Sequence, residues 1–151
     1  MERGQALAEF ALIVPLFFLI VIAVLDIGRV VWSLDAVSNA AREAARFAIV
    51  RGGSVSMGAA ATPQAVKDIA TSAAVGAGGT PSVTICYGTT QPTVAVAPTN
   101  CTVDTNTGSS SYARGTPVTV VVRVNVNLIS TGLLGVGSYS VVGSALMMVN
   151  N

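Results

Sequence analysis

The chain has 151 residues, 52% of them hydrophobic and 10% charged, with no histidine and a formal net charge of +1. That balance excludes a disordered tail, and it offers no basic footprint for gripping phosphates, so nucleic acid is not an expected partner. With no histidine and only two cysteines, the usual zinc ligand sets and most general-base arrangements cannot be built. No metal, cofactor or enzymatic activity is expected. Asp104, the serines and Arg114 have no spacing that would support a hydrolase.

From Phe10 to Leu25 sixteen residues carry no charge, and Glu9 and Asp26 mark the edges. Helix is the only open element that lipid allows. Sixteen residues rise about 24 Å, less than the roughly 30 Å hydrocarbon core. Ala6 to Ala8 on one side and Ile27, Val30 and Val31 on the other extend the run, giving a span of about residues 6–31. A cleavable secretory signal ends in a small-x-small site, whereas Leu25-Asp26-Ile27-Gly28-Arg29 stands here, so a retained anchor is expected. Pro15 removes a donor inside that helix and predicts a kink or a melted turn.

In front of the apolar run stand Met1-Glu2-Arg3-Gly4 and then Gln5-Ala6-Leu7-Ala8-Glu9-Phe10, with the glutamate fifth from Gln5. This arrangement resembles the processing site of type IV prepilins, which implies cleavage by a prepilin peptidase between Gly4 and Gln5. The spacing also has its own chemistry. A carboxylate at lipid depth is costly unless paired, and a newly exposed α-amine on an axially shifted neighbouring helix is a suitable partner for Glu9.

Beyond the membrane segment Val30, Leu34, Val37, Ala41, Ala44 and Ala48 recur at spacings of three and four, opposite Ser38, Asn39, Arg42 and Arg46. They predict a continuing helix with a narrow apolar seam. One helix from Gln5 to Val50 would be about 69 Å long. Arg42, Glu43 and Arg46 read as a solvated cluster, which contributes little to stability.

The stretch from Gly4 to Ala48 resembles the TadE-like family of tight-adherence pilus assembly proteins. The positions carrying the resemblance are Gly4, Glu9, Phe10, Ala11, Leu12, Pro15, Asp26, Gly28, Arg29, Asn39, Ala40, Ala41, Arg42, Glu43, Ala45 and Arg46. Ala44 departs from the family's usual glycine and suits a helix better. Major pilins of such systems have tyrosine after the glutamate and end soon after the helix, whereas here Phe10 follows and about a hundred residues remain. The resemblance implies a minor or accessory subunit, partnered by other pilin subunits, the assembly machinery, the peptidase and membrane lipid, and present as a homo- or hetero-oligomer.

Arg51 to Ala61 is glycine-rich and unpatterned and reads as a linker. Thr62 and Pro63 form a plausible helix start, and Val66, Ile69, Ala70 and Ala73 share one face of a short helix ending near Gly76, Gly78 and Gly79. From Pro81 the period becomes two. Val83, Ile85 and Tyr87 alternate with Thr84 and Cys86. Val118, Val120, Val122, Val124 and Val126 form one face of a long strand, with a mostly polar second face expected to be solvated. Tyr139 to Val149 reads as a last strand after the connection from Leu128 to Gly137. The 104–115 stretch is a loop.

Cys86 and Cys101 have fourteen residues between them. A disulfide is geometrically reasonable and by loop entropy stabilises by about 3 kcal/mol in an oxidising compartment; two buried free thiols are the alternative. Arg29, Arg42 and Arg46 beyond the membrane segment outnumber Arg3 and the terminal amine before it, so the positive-inside count alone disfavours an external C-terminal part. The leader, the cysteine pair and the resemblance favour a cytoplasmic N-terminus before processing and an extracytoplasmic domain, with an extracellular filament as the destination the resemblance implies. Charge is sparse beyond Gly52, which marks Leu128, Ile129, Leu133, Leu134 and Val136 as a candidate contact with another subunit or as a plug on the chain's own core.

The expected architecture is α+β: a long N-terminal helix continuing into a small antiparallel sheet. Its divisions are a leader at 1–4, the long helix at 5–50, a linker at 51–62 and the folded domain at 63–151. The expected role is a minor pilin or assembly subunit, and the alternative is a permanently anchored, adhesin-like binding module using the 104–115 loop.

Overall fold

The computed structural model describes residues 2–52, 63–87, 102–103, 115, 117–130, 135 and 137–149. Helix α1 runs from Glu2 to Gly52 without a break, passing through Pro15. The melted turn expected at that proline is not seen. Helix α2 spans Pro63–Ala73 and is followed by a 3-10 turn, Val75–Ala77, which Gly78 closes at a φ of 81°. That left-handed conformation is one glycine adopts at no steric cost.

Strands β1 (Pro81–Tyr87), β2 (Thr102–Val103), β3 (Pro117–Val126) and β4 (Tyr139–Met148) form one antiparallel sheet in the order β2-β1-β3-β4. Three long strands make up the body of the sheet, and the two-residue β2 extends the β1 edge. Ile85 lies opposite Val120, which in turn lies opposite Ala145. The alternation of valines along β3 therefore sets one continuous apolar face across the sheet.

That face packs on α1 and α2. Val118, Val120, Val122, Val124 and Val126 are buried together with Ile85, Val66 and Ala70, and with Val37, Ala40, Ala41, Ala44, Ala45 and Ala48 of α1. The helix stripe is wider than the predicted seam, for it includes Ala40 and Ala45, while Leu34 lies off it and is exposed. Two adjacent columns of alanine allow a sheet to approach a helix backbone closely, and a bulky leucine could not sit between them.

The second face of the sheet is not uniformly solvated. Ser82, Asn125, Ser140 and Ser144 are exposed, but Cys86, Thr119 and Val121 are buried. Thr119 Oγ1 is buried with no hydrogen-bond partner among the described residues. Polarity alternation along a strand reports the average environment of a face, and cover over one end of it leaves no local trace.

Candidate functional site

The N-terminal half of α1 stands clear of the folded domain. Leu7, Phe10, Leu12, Leu16, Phe17, Phe18 and Ile20 are all exposed. The helix contains a segment long and apolar enough to cross a membrane. Gly4, Gln5 and Glu9 lie in its first turns, with Gln5 Nε2 donating to Glu9 Oε1 at 3.4 Å and open space around Gly4. Phe10, next to Glu9, and Pro15, nearly two turns beyond it, are exposed. All five are exposed among the described residues.

The two halves of the molecule meet at Asp26. Its side chain is only 5% exposed. Oδ1 accepts the backbone N–H of Ile129 at 2.7 Å, and Oδ2 accepts that of Ser130 at 2.9 Å. Ile129 and Ser130 are in helical conformation, so the carboxylate satisfies two donors that the start of a helical turn leaves open. Hydrogen bonds to a charged acceptor are about twice as strong as neutral ones. Asp26 therefore fixes the connection after β3 to the helix at the point where the uncharged run ends.

Two further ties lie above it. Ser33 Oγ stands 2.8 Å from the carbonyl oxygens of both Ala77 and Arg29 and shares its single proton between them. Trp32 Nε1 donates to the Gly76 carbonyl at 3.1 Å while 68% of the residue stays exposed. The 3-10 turn after α2 is thus held against α1 one to two turns beyond Asp26. Gly79 then enters β1 so close to β3 that an added Cβ would strike the Asn125 carbonyl and lie 2.9 Å from Val124 Cγ1. Asp26, Trp32 and Ser33 together form a collar that fastens both connections of the domain to the helix.

Gly28 and Arg29 are exposed on the collar's outer side, and a Cβ on Gly28 would meet nothing within 4 Å. Asn39, Arg42, Glu43 and Arg46 are exposed on the side of α1 away from the sheet and are not gathered with the collar. The sequence singled out Asp26 but not Trp32 or Ser33. The one tryptophan of the chain, six residues after a charge that ends an apolar run, was the available signal. Cys86 is fully buried in β1, whereas Cys101 lies outside the described residues. So do Leu133, Leu134 and Val136 of the candidate contact, and the 104–115 loop apart from Gly115. Of the remaining contact residues, Leu128 packs against the core and Ile129 is 46% exposed.

The polar groups of this collar face backbone donors and acceptors, which is what fastening a domain to a helix requires. No curated protein and no solved structure matches the chain. A family model does match, over the segment that contains the apolar run, Asp26 and most of the buried alanine stripe. The match is to the TadE-like protein family, over residues 4–46.

Proposed function

We propose that the chain is a minor pilin or pilus assembly subunit with a single membrane span. Residues 1–4 act as a leader removed by a prepilin peptidase. The N-terminal half of α1 holds the protein in the membrane and then packs against other subunits in or at the base of a type IV-like filament. Residues 63–151 form an extracytoplasmic domain. The observation that carries this reading is the division of α1. One uninterrupted helix exposes its apolar first half along its whole surface and uses its second half as the spine of the domain. A helix apolar all round is one that lipid or neighbouring helices must cover.

Several features support the finer points. Glu9 is exposed within that apolar surface, where an unpaired carboxylate is costly at lipid depth; the freed amine of a neighbour's Gln5 would offset it. The Gly4–Gln5 bond lies inside the first turns of α1, so cleavage requires those turns to open. The first N–H groups of a helix have no partners within it, which makes such opening inexpensive. A disulfide between Cys86 and Cys101 is supported by the register that sets Tyr87 opposite Thr102, the residue covalently next to Cys101.

The test is the N-terminus of the protein isolated from membranes of its own host, read by intact mass and terminal peptide with and without the prepilin peptidase. The expected result is a start at Gln5 that depends on the peptidase. Retention of Met1 to Gly4 would sink the processing step and leave a permanently anchored module. Glu9→Ala is expected to abolish co-purification with filaments while leaving the domain folded. Unchanged co-purification would exclude the pairing assigned to Glu9.

A further inference from the structure

We propose that the base of the folded domain sits in the headgroup layer of the bilayer, with Trp32, Val75 and Ile129 as the inserted side chains. This rests on the reading of the first half of α1 as a membrane span. From Leu7 to Leu25 the helix rises about 28 Å, close to the roughly 30 Å hydrocarbon core. Asp26 follows at once, and its carboxylate holds Ile129 and Ser130. The start of the connection after β3 is therefore level with the first residue past the apolar run.

Trp32 lies six residues further on, about 9 Å higher along the axis, and helical side chains lean back toward the N-terminus, here toward the lipid. The interfacial layer on each side of the core is about 5–7 Å deep, so the indole reaches it. Val75 precedes Gly76, whose carbonyl takes the indole N–H, and is brought to the same level. These three residues are 68%, 78% and 46% exposed.

Large apolar side chains this open, on segments tied to the helix within two turns of the apolar run, match the surface that membrane interfaces cover. The tryptophan, with its N–H satisfied and its ring uncovered, is the residue type enriched there. Between span and base opens a groove of about 380 Å³, lined by Leu25, Gly28, Arg29, Trp32, Gly76 and Val126. The absence of a side chain at Gly28 keeps it open, and Arg29 supplies a guanidinium at the height of lipid phosphates. The occupant that fits is a phospholipid headgroup with its first acyl carbons. The domain would then be held upright by its base as well as by the helix.

Trp32 is the only tryptophan, so its own fluorescence reports the contact. The full chain is reconstituted in phosphatidylcholine–phosphatidylglycerol vesicles whose acyl chains are brominated either near the headgroup or near their ends. The expected result is loss of Trp32 emission with the shallow bromines, little loss with the deep ones, and shielding from aqueous iodide. Val75→Glu changes a position that is 78% exposed and is expected to increase iodide access. A Phe17→Trp variant in a Trp32→Phe background reads the span separately, with quenching by the deep bromines expected. Deep quenching of that indole with Trp32 open to iodide would place the base in water and overturn the proposal while the span stands. Failure of both indoles to be quenched would overturn the span reading as well. Trp32 shielded from iodide yet untouched by either bromine would mean that protein, such as a second copy, covers the base, and would overturn it too.

Discussion

A Cβ built on Gly143 would stand 2.7 Å from the carbonyl oxygen of Val37, because β4 crosses α1 with backbone against backbone. Contact at that distance cannot be relieved by turning a side chain, so an added methyl must push the sheet off the helix. Gly143→Ala is expected to destabilise the protein by about 1–3 kcal/mol, the usual range for overpacking, and Gly143→Val by more. The contrasting change is Gly28→Ala. It places a methyl in open space within a helix and is expected to stabilise by about 0.8–1 kcal/mol. Denaturant unfolding of the full chain in detergent, followed through the sheet signal, measures both. Equal effects at the two glycines would mean that the close approach at Gly143 is not what the fold depends on.

The Asp26 tie makes a local prediction. Asp26→Asn keeps one carboxamide oxygen for one of the two backbone donors and removes the charge, leaving the other donor without its partner. Hydrogen bonds to charged groups contribute about 1.5–3 kcal/mol, so local opening at Ile129 and Ser130 is expected to rise roughly tenfold or more. Amide hydrogen exchange at those residues in the full chain reads this directly, and amides in the middle of β3 serve as the reference. Asp26→Ala should increase exchange at both sites further. An unchanged exchange rate would show that the connection after β3 is held by something other than this carboxylate.

If Cys86 and Cys101 form the proposed bridge, neither thiol of the denatured chain reacts with an alkylating reagent until a reductant is added, and then both do. Closing a loop of this length stabilises by about 3 kcal/mol in the chain-entropy account. Reduction is therefore expected to lower the denaturant midpoint and, by letting the unfolded chain expand, to steepen the slope if the native fold survives. Alkylation of either cysteine before reduction would rule the bridge out. Because Cys86 is fully buried in β1, the reaction must be carried out on unfolded protein to be informative.

Much of the fold was legible because single-period patterns dominate the chain. The alternating valines of β3 named the face that became the core, and the uncharged run and alanine spacings of α1 gave one long helix. The α+β architecture follows from those two patterns. What could not be read were relationships decided by distant segments. Asp26 could be seen as the edge of an apolar run and as part of the resembling motif, but not as a tie to the domain, since its partners lie 103 and 104 residues away. Ala40 and Ala45 look no different in sequence from exposed alanines. They are core because β4 comes close at Gly143, and the same geometry leaves Leu34 outside. Ser33 and Trp32 resemble ordinary helix residues until the turn after α2 is brought against them.

Ala44 occupies the position where the TadE-like pattern usually has glycine, and here it is completely buried against the sheet. Restoring the glycine removes one buried methyl, worth about 0.8 kcal/mol, and adds about 0.8–1 kcal/mol of helix propensity cost. Ala44→Gly is thus expected to destabilise the chain by about 2 kcal/mol, with the loss visible in the denaturant midpoint. In the other direction, Ala44→Leu has no room beside Ala40, Ala41 and Ala48 and is expected to cost about 1–3 kcal/mol by overpacking. The two changes remove and add volume at one site, so a stability maximum at alanine would show that the helix-to-sheet distance is set by a methyl at this position. If the glycine variant were as stable as the parent, the sheet would have to close onto the helix by about the depth of that methyl, and the buried stripe would be less rigidly packed than interiors usually are.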